Sequence, residues 1–475
     1  MGVPAAEEAA MTYEEALAYL FDQTDYLNRT AGDTPRPPTV DRMGPLMQAL
    51  GQPQTRFQVV HVAGTKGKGS TSALCESMLH RLGYRTGLFT SPHLHTFRER
   101  IRVDQALIPA PALAELMSRL RPTFDLFPDL TVFDRITALA FQYFADQKVE
   151  WAVVEVGLGG RLDSTNVVHP AVCGITSISY DHMDVLGNTL SLIAREKAGI
   201  IKPGVPVFTC AQEPEAQVAI QQVAQAQDAP LTVTRAKPLP PPNLAGVHQQ
   251  VNAGIAQAMI ENLAQRGLIR TDFAALEAGI ADVNWPGRFE RLPVPGDLPG
   301  DLPGTESAPV QPILVDCAHN LDSMNRLLET LAQTYPARPM TAIMGAGYNK
   351  QVQPMLTALL GHVPRLVLVR SRHPRAIPVD DLMALAATLL DGRLADGPAA
   401  ATATAPGPII PQVYAGISMT HALDLAISLT PENGVVVGTG SVFVAAEVRE
   451  VWADRYPQAF DPADWVFELS REPAY

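Results

Sequence analysis

The sequence predicts a two-domain α/β protein, each domain a mostly parallel sheet covered by helices, and three observations point to it. Short apolar, β-branched runs alternate with stretches of helical spacing along most of the chain, the pattern of βα units whose strands are buried on both faces. The length, 475 residues, exceeds the roughly 250–300 residues at which a single hydrophobic core stops growing. A segment rich in proline, glycine and acidic residues breaks the alternation, and a second α/β series begins after it. The expected organisation is a larger domain over 1–291, an exposed linker or insertion over 292–312, and a smaller domain over 313–475.

In the first series, Phe57–Val62 (FQVVHV) reads as a buried strand. Ser70–Leu82 has helical spacing, with Leu74, Met78 and Leu82 at four-residue steps. Trp151–Val156, Val172–Ile178 and Val205–Phe208 are further strands, and Leu190–Ile200, Glu215–Ala224 and His248–Arg266 are helices. The second series places strands at Ile313–Val315, Thr341–Met344, Arg365–Val369 and Val435–Val437. Two low-complexity stretches, Pro238–Pro242 and Ala395–Pro411, read as surface loops.

Composition narrows the class. With 47% hydrophobic and 18% charged residues, the chain has the make-up of a globular enzyme. A formal charge of −13 argues against nucleic-acid binding, which is driven by basic surface. A small anionic substrate remains open, because it needs only a local cluster of donors. No apolar run reaches the ~20 residues of a membrane span, and the small, acidic N-terminus lacks the features of a secretory signal. Cys75, Cys173, Cys210 and Cys317 are scattered and form no CxxC pair, so a reducing cytoplasm is the expected compartment.

The strongest local signal is Gly64-Thr65-Lys66-Gly67-Lys68-Gly69-Ser70. It follows a strand and opens a helix, the context a phosphate loop requires. Glycines let backbone N–H groups converge on phosphate oxygens, Lys68 brings a mobile positive charge, and Ser70 a hydroxyl. The alternative is a Gly/Lys-rich surface turn, since Gly69 separates the lysine from the hydroxyl residue. Glu155 lies near the C-terminal end of a strand and is followed by Gly157, Gly159 and Gly160. A carboxylate there suits Mg²⁺, which takes few protein oxygens beside substrate phosphates; it could equally be an ion-pair partner. Asp181-His182 follows the 172–178 strand and should share that edge, although a single histidine is more often structural.

GTKGKGS, followed by Thr90-Ser91-Pro92-His93-Leu94 and Glu99-Arg100-Ile101, resembles the folylpolyglutamate synthase/dihydrofolate synthase family of the Mur ligase superfamily. The extra glycine is that superfamily's own variant of the loop. The fold this resemblance implies is an N-terminal P-loop ATPase-like domain and a smaller C-terminal Rossmann-like domain. It runs from about Tyr19 to the C-terminal GTGSVFVAAEVR and includes SYDHMDVLGNTLSLIAREKAGIIK. It implies ATP binding by Gly64, Thr65, Gly67, Lys68, Gly69 and Ser70. It implies Mg²⁺ held by Ser91, Glu155 and His182 across two ion sites, with Lys68, His182 and Lys197 as the catalytic set. Lys197, in REKAGI, would otherwise read as a solvated helical lysine. The resemblance implies that it is carbamylated, making an anion that can support a bound cation, a monovalent ion being a further expectation.

Three further patches match the family: HQQVNA, with Asn252 contacting ATP; PGRFE, a hinge with Arg288 near the phosphates; and DCAHN, with Asp316 contacting nucleotide. Their plainer readings are a helix-surface amide, a hinge salt bridge and a strand-end N-cap. Pterin-side contacts map onto Thr131, Val132, Phe133 and Asp134 and onto Leu162, Asp163 and Ser164, and glutamate contacts onto His319 and Ser441. Phe133 could instead be a core aromatic and Ser441 an N-cap. The chain departs from the family at Asp134, where glutamate is usual, at Asn349-Lys350-Gln351, where Asp-Lys-Asp is common, and in its proline-rich insertion.

The implied reaction is ATP-dependent addition of L-glutamate to a folate through an acyl phosphate. Tetrahydrofolate polyglutamylation is favoured, with dihydropteroate ligation as a second activity or as the sole one. Domain closure around ATP would keep water from the activated carboxylate. A cell-wall Mur ligase fits poorly, because 56 residues precede the strand of the phosphate loop. A rival of another class is a P-loop switch that hydrolyses ATP without ligation. The expected partners are small molecules alone, with no nucleic acid and no membrane, and the chain is expected to act as a monomer.

Overall fold

The computed structural model describes residues 10–22, 42–238, 244–270, 272–294, 311–348, 350–395, 411–461 and 464–468. Most of the 292–312 linker, most of the loops at Pro238–Pro242 and Ala395–Pro411, and Asn349 fall outside them. The chain divides into two compact units. The first comprises Met1–His93, Phe97–Asn243 and His248–Asn284; the second comprises Leu94–Thr96, Leu244–Val247 and Trp285–Tyr475.

The elements of the first unit are α1 (Tyr13–Asp22), α2 (Met43–Ala49), β1 (Gln58–Ala63), α3 (Lys68–Arg81), β2 (Thr86–Phe89), β3 (Ile101–Val103), β4 (Ala106–Leu107), α4 (Ala110–Phe124), α5 (Val132–Asp146), β5 (Trp151–Glu155), β6 (Val172–Ile175), α6 (Met183–Leu186), α7 (Leu190–Ala198), β7 (Val207–Thr209), α8 (Pro214–Ala226), β8 (Leu231–Val233), α9 (Val247–Gln265) and α10 (Phe273–Ala281). The eight strands form one sheet in the order β4-β3-β2-β5-β1-β6-β7-β8. It is parallel except at β3 and β4. Apart from the exposed Gln58 at the start of β1, the central strands are buried because helices cover both faces, so their side chains are mostly apolar on both sides rather than alternating. Strands β1, β5 and β6 lie side by side, with Val62 opposite both Glu155 and Gly174. Their carboxyl ends therefore open on one edge, where ligands of open α/β sheets sit.

Helix α3 starts at Lys68, two residues earlier than its apolar spacing predicts, because Gly67 (φ 90°) turns the chain directly into the first helical residue. Its residues from Ser70 to Leu79 are buried. Helix α10 presses on it closely: Ser77 Oγ donates to the Gly279 carbonyl at 2.6 Å, and a Cβ at Gly279 would stand 2.6 Å from Met78 Cα.

The second unit contains β9 (Glu290–Arg291), β10 (Ile313–Val315), α11 (Leu321–Thr334), β11 (Met340–Met344), α12 (Val352–Leu360), β12 (Arg365–Val369), α13 (Val379–Ala395), β13 (Gln412–Gly416), α14 (Met419–Leu429), β14 (Val435–Thr439) and α15 (Val442–Arg455). Its sheet runs β13-β12-β11-β14-β10-β9, parallel but for the last strand. The strand residues alternate between two apolar cores. Leu314, Ala342, Leu366 and Val437 face α11 to α13, whereas Ile313, Ile343, Val367 and Val436 face α14 and α15. Trp285–Arg291, placed by the sequence in the first domain, belongs to this unit, because Glu290 and Arg291 pair antiparallel with Val315 and Leu314.

A buried ionic cluster ties this unit together. Arg449 donates to Glu290 at 2.8 Å and to both oxygens of Asp464 at 2.6 and 2.7 Å. A third contact, 3.2 Å to His95 Nε2, leaves the other ring nitrogen to donate to Glu450. These acids hold the Arg449 guanidinium charged despite its burial. Among the described residues no helix is long and apolar enough to cross a membrane. The four cysteines are all buried and free.

Candidate active site

The carboxyl edge of the first sheet gathers four segments, each following its own strand: Ser91 after β2, Glu155 at the end of β5, Gly64–Ser70 after β1, and Thr176–His182 after β6. Topology alone thus brings together residues separated by more than a hundred positions.

The phosphate loop is built by close approach. A Cβ on Gly64 would overlap Thr176 Oγ1, and one on Gly67 would overlap the side-chain amide of Asn252, so both positions need glycine. Asn252 is buried on α9, not a surface amide as its helix position suggests, and it donates to Gln249 Oε1 at 2.8 Å. Lys68, the first residue of α3, carries its ammonium 4.0 Å from Glu155 Oε1. The other oxygen of Glu155 accepts from the Ser91 N–H at 3.1 Å. Glu155 is 4% exposed. A buried carboxylate aimed at a lysine offers hard-oxygen donors. Among the described residues no three His, Cys, Asp or Glu side chains form a metal cluster. A single buried carboxylate at such a loop is the share a protein gives to an ion that draws most of its ligands from phosphate and water, as Mg²⁺ does. His182 caps α6 in the left-handed conformation (φ 49°), its side chain half exposed.

Lys197 departs most from its sequence reading. It is 4% exposed, and its Nζ donates to the Gly64 carbonyl at 2.9 Å. Burial, then the neighbouring charge of Lys68, pushes its pKa down to about 7. A large share of the amine is therefore neutral at neutral pH. The signal was present in the sequence: Ile193, Ala194, Lys197 and Ala198 lie on the buried stripe of α7.

Among the residues expected to face a pterin, Thr131 caps α5 and shares a capping box with Asp134. The Asp134 carboxylate is 2% exposed and fully engaged. One oxygen accepts from the Thr131 N–H and hydroxyl, each at 2.8 Å, and the other from Ser164 Oγ at 2.6 Å. Arg42 stands 3.3 Å away. Asp163 also faces inward, accepting from Leu158 N–H, Thr165 N–H and Thr165 Oγ1. Burial raises its pKa. Phe133 packs on Phe89 with ring centroids 5.8 Å apart and lies where a Cβ of Gly157 would stand. Val132 follows the cap, and Leu162 is half-buried in the loop before Asp163. These residues form one wall whose polar groups largely satisfy each other.

In the second unit, Asp316 follows β10 but does not cap the next helix; Asn320 does, in a capping box with Ser323. Asp316 instead accepts from Phe289 N–H and Ala318 N–H, each at 2.8 Å, which stitches the Pro286–Glu290 turn to Asp316–Ala318. Burial raises its pKa, and the charge of Arg288 works against that rise. His319 bonds through Nδ1 to the Cys317 carbonyl at 2.8 Å. Ser441 caps α15, accepting from Val444 N–H. Sequence reasoning missed Thr176, which packs against Gly64, and Gln249, which accepts from Asn252, contacts that no local pattern displays.

Residues 62–236 match the Mur ligase middle domain, and residues 304–442 match the Mur ligase glutamate ligase domain. A dihydrofolate synthase/folylpolyglutamate synthase of Bacillus subtilis is 35% identical over 375 residues, covering 73% of this chain and 84% of its own length. A folylpolyglutamate synthase of Lacticaseibacillus casei is 32% identical over 93% of this chain and 98% of its own. Among solved structures, Mycobacterium tuberculosis folylpolyglutamate synthase complexed with ADP and AMPPCP superposes with a TM-score of 0.74 at 29% identity, covering 93% of this chain and 98% of that one. Escherichia coli FolC in complex with DHPP and ADP gives 0.75 at 26% identity, covering 94% and 99%.

Proposed function

The chain belongs to the folylpolyglutamate synthase/dihydrofolate synthase family, ATP-dependent ligases that join glutamate to a folate, and on that premise we propose how its residues divide the work. ATP binds on the carboxyl edge of the first sheet, its phosphates on Gly64, Thr65, Gly67, Lys68, Gly69 and Ser70. Backbone N–H groups at the N-terminus of α3 and the Lys68 ammonium take up the negative charge. Asn252, packed against Gly67, fixes the loop's backbone and contacts the nucleotide. The family resemblance also assigns nucleotide contacts to Arg288 and Asp316.

The γ-phosphoryl group moves to a carboxylate of the folate, releasing ADP and leaving an acyl phosphate. The amine of glutamate attacks the acyl carbon. The tetrahedral intermediate then collapses, phosphate leaves, and the nitrogen loses its proton to give an amide. Catalysis is positioning and charge stabilisation, and no protein nucleophile is required. Mg²⁺, held by Ser91, Glu155 and His182, would supply further neutralisation of phosphate charge when bound. The Lys197 amine, at a pKa of about 7, is nucleophilic enough at neutral pH to take up CO₂, and its carbamate would place an anion behind the loop. Thr131–Asp134 and Leu162–Ser164 form the acceptor wall. His319 and Ser441 receive glutamate.

The observation that carries this reading is the convergence of Lys68, Glu155 and Ser91 on one sheet edge. We favour tetrahydrofolate as acceptor, with dihydropteroate ligation as a second activity. An ATP-hydrolysing switch needs no glutamate ligase domain, and residues 304–442 match one. The test offers purified protein MgATP and glutamate with either tetrahydrofolate or dihydropteroate and resolves the products by mass. Glutamate added to neither acceptor would overturn the reading.

A further inference from the structure

Lys66, the first lysine of the phosphate loop, has no part in the division of work above, yet its surroundings are specific. Residues 64–66 run antiparallel to the segment after β6. The N–H groups of Thr65 and Lys66 both donate to the Ser177 carbonyl, at 2.9 and 3.3 Å, and Ser177 Oγ donates back to the Lys66 carbonyl at 3.3 Å. Thr65 Oγ1 donates to the Ser179 carbonyl at 3.2 Å and accepts from the Ser179 N–H at 3.1 Å. The zipper ends in an ion pair: Lys66 Nζ lies 2.8 Å from Asp181 Oδ2, the two side chains 15% and 18% exposed.

Asp181 uses its other oxygen on the next residue, accepting from the His182 N–H at 3.1 Å. His182 has positive φ and begins α6. One carboxylate thus joins the phosphate-loop lysine to the backbone that aims the His182 ring. A surface ion pair is usually weak because both side chains remain free to move. Here both ends are anchored, one by five neighbouring backbone and hydroxyl contacts and the other by the helix start, so less freedom is lost on pairing.

We propose that Lys66 is a positioning residue for ligation: through Asp181 it fixes the loop carrying His182 against the phosphate loop, and it does not itself bind phosphate. This rests on His182 acting at the magnesium site. Residues that orient metal ligands typically change metal affinity about tenfold or more when lost.

The test compares Lys66→Met, Asp181→Asn, their double variant, Lys66→Arg and His182→Ala. Mn²⁺ affinity is measured by electron paramagnetic resonance in the presence of a non-hydrolysable ATP analogue. ADP affinity is measured without divalent metal, kcat by product formation, and folding by thermal denaturation. The expected result is a Mn²⁺ Kd about tenfold higher in each single variant, no further loss in the double variant, retention in Lys66→Arg, and metal-free ADP affinity within about twofold of the parent. Additive losses, an unchanged Mn²⁺ Kd in folded Lys66→Met, or a large loss of metal-free ADP affinity there would overturn the proposal, the last by making Lys66 a phosphate ligand. Should His182→Ala leave Mn²⁺ binding unchanged, the magnesium reading of His182 fails; should His182→Ala weaken it and Lys66→Met not, this inference alone fails.

Discussion

The Lys197 amine donates a 2.9 Å hydrogen bond to the carbonyl of Gly64, the residue that starts the phosphate loop. A side chain on α7 thereby supports the loop from behind, and its protonation state is set by burial and by the lysines of that same loop. The two residues are 133 positions apart.

Lys197→Ala should lose most activity, with partial rescue by bicarbonate or small carboxylates if the lysine works as a carbamate. In the parent enzyme, activation by added bicarbonate should be greater at pH 8 than at pH 6, since only the neutral amine reacts with CO₂ and the Lys197 pKa is about 7. An intact mass showing a bare amine in fully active enzyme would count against the modification. The same shift bears on stability. Between about 7 and the unfolded value of about 10.4 the unfolded chain binds more protons, so stability contributed by this group rises with pH there and the penalty is complete below about 7. Denaturant titrations of the unmodified protein at pH 7 and 9 should differ by about 2–3 kcal/mol more than those of Lys197→Met.

Lys68→Ala should leave the fold intact and lower kcat by a factor of about 10²–10³, the cost of removing one donor from charge that grows in the transition state. Turnover near normal at saturating ATP would exclude a role on phosphate.

Glu155→Gln preserves size and keeps an oxygen to accept from the Ser91 N–H, but removes the charge. Magnesium titrations of activity should shift to higher concentration, with kcat only partly restored by excess metal. Superimposable titrations would make Glu155 a structural partner of Lys68.

Asp134→Ala strips the α5 capping box and leaves Ser164 and Arg42 without their acceptor. The expected loss of stability is roughly 2–4 kcal/mol, read from chemical denaturation. Asp134→Glu retains a capping-box acid but must fit one more methylene into a site 2% exposed. It should shift Ser164 and change the ratio of kcat/KM for dihydropteroate over tetrahydrofolate. An unchanged ratio would remove this position from acceptor choice.

The parts of the fold visible in the sequence are those fixed by short-range pattern. The strand, glycine loop and helix over 58–81 carry their signal in adjacent residues, and the central strands β5, β6, β10, β12 and β14 are continuous apolar runs. The missed strands β2, β3, β4, β8, β9 and β13 are short or at sheet edges, where mixed side chains are tolerated. Within the site, Gly64, Lys68 and Glu155 could be found because loop chemistry and strand ends mark them. The inward turn of Asp134, the burial of Lys197 and Asn252, and the Lys66–Asp181 pair depend on partners 30 to 185 positions away in the chain. No window of sequence displays such contacts.

Helix α10 rests on α3 through Gly279, where a single methyl would meet the backbone of Met78. In a genetic screen for folate auxotrophs, missense alleles at Gly279 would therefore score beside those of the nucleotide loop. They would displace α3, the helix that begins at Lys68, although codon 279 encodes no side chain that could reach a substrate. Smaller side chains in α3 would not suppress such alleles, because the methyl meets backbone atoms of Ser77 and Met78, and the allele map would draw the outline of a packing contact rather than of a catalytic site.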